Sequence, residues 1–198
     1  MENKKKLKTD LNTVKSYKES LLAGMLIGFG VIINSITTPP ILGALLFSFG
    51  LLTIIQLQIP LYTGRVGFLI NKTRQPYFTI FFANCLGILL ITSIYSICKP
   101  DFQAILYGAA ALKFSKTYLA MLCYGSLCGM LIHLAVKCKV PIITIGAIII
   151  FIMIGSEHCI ADVPYLYAFF TWPNLIKWLL VVVGNSLGAM CTEGLLNE

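Results

Sequence analysis

The chain has 198 residues, 58% hydrophobic and 12% charged, with a formal net charge of +7 and a mean hydropathy of +0.85. A water-soluble domain carries about a quarter of its residues as Asp, Glu, Lys or Arg. This composition excludes a soluble globular domain and leaves a polytopic membrane protein, with length for one compact bundle.

The basic residues come first. Lys4, Lys5, Lys6, Lys8, Lys15 and Lys18 precede the first apolar run. They read as a cytoplasmic tail over 1–19, held inside by the positive-inside rule, not as a nucleic-acid arm or a cleavable signal. Crossing about 30 Å of hydrocarbon takes about 20 apolar residues, and the pattern predicts six crossings in a transmembrane domain over 20–192. The first covers 21–38 and stops at Pro39-Pro40. The second region, 41–70, is too long for one straight span and is punctuated by Gln56, Gln58, Pro60 and Gly64. The third covers 77–98; the short apolar piece 102–112 reads as interfacial. The fourth covers 118–136. The fifth region, 140–170, is interrupted at Ser156-Glu157-His158 and at Asp162-Val163-Pro164. The sixth covers 175–191, leaving a short cytoplasmic end over 193–198.

With both termini inside, the tail lysines, Arg65, Lys72, Arg74, Lys137 and Lys139 are cytoplasmic, and Lys99, Lys113, Lys116 and Lys177 are outside. The inner excess supports that orientation. The seven cysteines form no C-x-x-C pair, so they read as free, small hydrophobes.

The chain repeats internally. Gly24-Met25-Leu26-Ile27 returns as Gly129-Met130-Leu131-Ile132, and Asn84-Cys85-Leu86-Gly87 returns as Asn185-Ser186-Leu187-Gly188. Phe47 pairs with Phe151 in the same register. The halves are about 20–98 and 115–192, each with three crossings, so the second half enters the membrane from the opposite side. Inverted repeats of this kind put their substrate site at the interrupted helices near the midplane. Broken backbone at that depth must line a wet cavity or be buried in protein.

Only Asp101, Glu157 and Asp162 are acidic between residues 20 and 192, and two of these flank His158. Ionisable groups inside a membrane mark a functional path by default. His158 is the leading candidate for a pore-centre group, able to donate, accept or lend a proton. On a continuous helix Glu157 would sit about 100° away from it, so Glu157 is expected to bind backbone donors freed by the break. Asp162 could orient His158, or cap the helix that restarts at Pro164; the cap is preferred. His133 lies mid-span and reads as a packing residue. Thr63-Gly64 occupies the matching break and offers a hydroxyl and free amides. Gly24, Gly28 and Gly30 read as helix packing. No metal-ligand spacing, cofactor motif or nucleophile–base pair occurs, so neither a cofactor nor an enzyme is expected.

The stretch Gly155-Ser156-Glu157-His158-Cys159-Ile160-Ala161-Asp162 resembles the G-F-E-H-x-x-A-N signature of the formate–nitrite transporter family. Phe47-Ser48-Phe49-Gly50-Leu51 and Leu61-Tyr62-Thr63-Gly64 are similar to its F-S-x-G-L and L-F-T-G elements. Gly184-Asn185-Ser186-Leu187-Gly188 is similar to its last-helix motif. The resemblance implies an all-α, aquaporin-like six-helix membrane fold with two broken helices, assembled as a homopentamer with one pore per subunit. It implies His158 and Thr63 at the pore centre, with Phe47, Leu51, Leu61, Tyr62 and Phe151 as apolar constrictions. Lys113 stands where the family keeps a vestibule lysine; Glu157, Asp162 and Asn185 are supporting residues. Asp162 and Gly129 replace family asparagines, Pro60 replaces an acidic residue, and Ser156 and Tyr62 replace phenylalanines.

A bare anion meets a large desolvation cost at an apolar constriction, and its neutral acid does not. The expectation is a plasma-membrane channel that passes small monovalent anions of weak acids together with a proton, formate first and nitrite or hydrosulfide next. An aquaporin-like channel for neutral solutes is the alternative, but the sequence has no Asn-Pro-Ala motif.

Overall fold

A computed structural model of the chain describes residues 2–71 and 76–197, with side chains from residue 16 onward. Lys4, Lys5, Lys6, Lys8 and Lys15 of the basic segment, and Lys72 and Arg74, therefore lie outside the described side chains. The fold is all-helical. α1 (Glu2–Ile36) carries the basic segment without a break into the first crossing, and α2 (Pro40–Leu57) follows the paired prolines. After a break come the short α3 (Tyr62–Arg65) and a 3-10 turn over Val66–Asn71. Next are α4 (Tyr77–Cys98), α5 (Asp101–Lys113) and α6 (Tyr118–Cys138). The fifth region is split into α7 (Pro141–Met153) and α8 (Val163–Ala168), and α9 (Trp172–Leu196) closes the chain.

Among the described residues, five helices are long and apolar enough to cross a membrane, beginning with the 16–36 part of α1. α7 is shorter and works as part of a broken crossing. Large side chains point outward, with Phe78 82%, Ile97 80% and Leu112 77% exposed. A hydrocarbon solvent reverses the usual objection to such a surface.

The repeat is visible in the packing. α1 lies against α4, α6 against α9, and the broken helices α2 and α7 meet between these pairs. At Gly24 the backbone of α1 touches the backbone of Asn84, and at Gly129 the backbone of α6 touches that of Asn185. A Cβ at either glycine would occupy the neighbouring carbonyl. Gly129 is thus the counterpart of Gly24 and keeps the second pair as close as the first. α5, expected to be merely interfacial, buries Phe102, Leu106 and Ala110 completely or nearly so and packs on α8. It joins the two halves and delivers Lys113 to the second break.

Candidate functional site

Each break begins where the chain leaves helical geometry. Gln58 caps α2 in the left-handed region, at φ 56°, and Pro60 follows it. Gly155, at φ 72°, ends the α7 turn, and the chain stays non-helical until Val163. Left-handed backbone suits glycine, which has no Cβ to clash. Glu157 and His158 therefore lie on non-helical chain, and a helical angle of about 100° does not separate them. Both line one cavity.

Two buried asparagines satisfy the freed backbone. Asn84 Oδ1 accepts from Tyr62 N–H at 2.8 Å, while its Nδ2 donates to Pro60 O at 3.2 Å and Ser20 O at 2.7 Å. Asn185 does the same for the second break: Oδ1 accepts from Cys159 N–H at 2.8 Å, and Nδ2 donates to Glu157 O at 2.9 Å and Gly125 O at 2.8 Å. A carboxamide carries the acceptor and the two donors such a gap needs. The backbone-binding role expected of the Glu157 carboxylate thus falls to Asn185. The repeat motif pairs Asn84 with Asn185, but of the two only Asn185 stands among the expected supporting residues.

Between the two clasps, Thr63 Oγ1 and His158 Nε2 are 2.9 Å apart and both residues are buried. Ala161 N–H donates to His158 Nδ1 at 3.1 Å. In a neutral ring this makes Nδ1 the acceptor and leaves the hydrogen on Nε2, which donates to the Thr63 hydroxyl. The Thr63 hydroxyl keeps its own hydrogen to give.

One cavity, of about 350 Å³, reaches His158 and is also lined by Phe47, Phe151, Lys113, Lys116, Glu157 and Asp162. Lys113 contacts Glu157 Oε2 and lies 3.0 Å from Asp162 Oδ1; Lys116 contacts Glu157 Oε1 and donates to Gly155 O at 3.3 Å. Asp162 does stand at the N-cap position of α8, yet its side chain makes no capping bond. Lys113 holds it instead. Ser156 Oγ and Asp162 Oδ2 are buried without a hydrogen-bond partner in the protein. A second cavity, of about 340 Å³, lies toward Arg65, Lys137 and Lys139, and is lined by Leu61, Gly64 and Ile54. Arg65 Nη2 donates to Gln58 O at 3.0 Å.

The apolar residues divide into two groups. Phe47 and Phe151 meet edge to face at 5.9 Å between centroids, and Phe151 lies 6.3 Å from the His158 ring. Leu61 lines the Arg65 cavity, and Leu51 is 1% exposed within the core. Tyr62 turns the other way: its ring meets Phe81 at 4.9 Å and its hydroxyl pairs with Ser186 Oγ at 3.0 Å. Among the residues described as lining the two cavities, neither Leu51 nor Tyr62 appears.

His133 is not a simple packing residue. Its Nε2 is 2.8 Å from Glu193 Oε2, and Lys137 lies 2.9 Å from the same carboxylate. Asn71 Nδ2 and Asn197 Nδ2 donate to Glu193 Oε1 at 2.7 and 2.9 Å. Glu193 lies one residue beyond the apolar stretch 20–192 and its three acids. Among the described residues no group of three His, Cys, Asp or Glu side chains could hold a metal ion.

Two halves joined face to face, broken helices clasped at their centre and a polar cavity reaching that centre define a multi-pass membrane transport protein. The family model described as formate/nitrite transporter matches residues 1–197, and the chain belongs to that family. No curated protein matches the chain. Among solved structures, it is similar to one described as a pentameric formate channel with formate bound, at 18% identity and a TM-score of 0.71, over 94% of each chain. It is also similar to one described as an FNT family ion channel, at 18% identity and a TM-score of 0.78, over 96% of this chain and 91% of that one. At this identity the likeness concerns the fold. Membership of a transporter family also agrees with the expectation that the chain is not an enzyme.

Proposed function

We propose that the chain conducts the small monovalent anions of weak acids, formate first, and that each anion crosses the centre with a proton. The observation that carries this reading is the Thr63–His158 pair, whose histidine lines a cavity that also holds two lysines and two carboxylates. His158 Nε2–H holds the Thr63 hydroxyl, whose own O–H is left to donate to one oxyanion, and an apolar gate of Phe47 and Phe151 stands beside the pair. Donors aimed at a charge stabilise it in a dry site, whereas the apolar ring rejects it unless it is neutralised. The histidine stabilises the anion while it gains the proton; the neutral acid passes Leu61 to the Arg65 cavity. The pore sits within each subunit of a homopentamer in the plasma membrane, with Lys113 outside and both termini inside. The assembly follows the family and the pentameric neighbour; the orientation follows the lysine distribution.

Lys113 does less steering than a free lysine would, because Glu157 and Asp162 already contact it. Replacing His158 with Asn should lower formate uptake into proteoliposomes by about tenfold or more, the scale of losing one oriented donor, and change its pH dependence. Uptake with an unaltered rate and pH profile would refute the histidine's part.

A further inference from the structure

Charge arithmetic at the Lys113 cavity leads one step further, resting on the transport reading above. Two lysines, Lys113 and Lys116, face two carboxylates, Glu157 and Asp162. The cluster is balanced before any substrate arrives. An anion entering it is one negative charge too many, in a site where such a charge is poorly solvated, and a single proton restores balance.

The two carboxylates are not equivalent as places for that proton. Both oxygens of Glu157 are engaged, one by each lysine. Asp162 lines the cavity and uses only Oδ1, on Lys113; Oδ2 is buried and has no partner. His158 has no vacant nitrogen either, since Ala161 N–H occupies Nδ1 and Thr63 meets Nε2. The other titratable groups facing Asp162 are Tyr165 of α8, whose hydroxyl pairs with Ser35, the Cys128 thiol of α6 and the Cys159 thiol of the break itself. One free basic oxygen is left.

We infer that Asp162 is the group that hands the proton to the transported anion, with its Oδ2 as the exchanging atom and Ser156 Oγ, likewise buried and unpartnered on the lining of the same cavity, as a hydrogen-bonding partner for the substrate. As the anion enters, Oδ2 takes a proton that arrives from bulk solution as hydronium through water in the cavity, leaving water behind. The Asp162 O–H bond then breaks, an O–H bond forms on the anion, and Asp162 returns to the carboxylate held by Lys113. One proton is consumed per molecule of neutral acid released toward His158.

The test compares wild-type protein with Asp162→Asn in proteoliposomes, following formate uptake at acidic and at neutral pH. Under acid conditions solution already supplies formic acid, so the variant retains much of its uptake. Near neutrality it loses its proton donor, and the acid-to-neutral rate ratio rises by about tenfold or more over wild type. Asp162→Glu, which restores a carboxylate, brings the ratio back toward wild type. A ratio unchanged in Asp162→Asn, whether uptake is preserved or uniformly reduced, overturns the inference. Should that variant not assemble, the wild-type infrared difference spectrum on adding carbon-13 formate decides. A protonated carboxyl stretch from protein supports Asp162, and no such band overturns it. Wild-type protein that moves no formate at any pH would sink the transport reading instead.

Discussion

The first half of the chain builds its break from Gln58, Pro60, Thr63 and a clasping Asn84; the second builds its break from Gly155, Glu157, His158 and a clasping Asn185. The clasps are equivalent bond for bond. The chemistry is not: the first break contributes a hydroxyl, while the second contributes an imidazole and two carboxylates held by lysines that neither break supplies. Duplication supplies the architecture, a polar gap satisfied from within, and divergence of the second copy supplies the titratable groups. What must stay alike is the backbone accounting; what can differ is whatever faces the cavity.

The equivalence can be broken directly. Asn84→Ala and Asn185→Ala should each strand two or three buried backbone groups, at about 1–3 kcal/mol per group. Thermal unfolding in detergent should therefore show large and similar losses for the two variants. A tolerated change at one site only would mean the two clasps are not counterparts. Gly24→Ala and Gly129→Ala come next, since each pushes a methyl into the facing helix backbone at a cost of about 1–3 kcal/mol. Their unfolding temperatures should fall together, and a fall for only one would show that the two helix pairs approach differently. The smallest effect sharpens the contrast. Glu193→Gln weakens the cluster that Glu193 forms with His133, Lys137, Asn71 and Asn197 and should cost about 1 kcal/mol per hydrogen bond lost. Its unfolding temperature should drop while the acid-to-neutral ratio of formate uptake stays at the wild-type value.

Much of this arrangement was legible in the residues because breaks in membrane helices must be written in polar or helix-ending residues. Pro60 and Pro164 marked both interruptions, and the Gly24/Gly129 and Asn84/Asn185 matches marked the repeat. Element ends were less legible where capping or charge extends a helix beyond its apolar run. α9 starts at Trp172, ahead of the expected 175, because the Thr171 hydroxyl accepts from Asn174 N–H at 3.2 Å. α1 extends back through the lysines, which are good helix formers. Partners distant in sequence were not legible at all. Nothing near residue 113 announces Glu157 or Asp162, and nothing near His133 announces Glu193. The helical angle assigned between Glu157 and His158 failed because Gly155 had already ended the helix.

Glu193 has a mechanical meaning beyond its charge. Through Asn71 it ties the final turns of the chain to the 3-10 segment that follows the helix bearing Thr63, and Asn197 adds a second tie to Asn71 at 3.3 Å. The segment that follows Thr63 is thus buttressed by the last turns of α9. A fusion or trimming there would reach the threonine through its footing, with no contact to anything that passes.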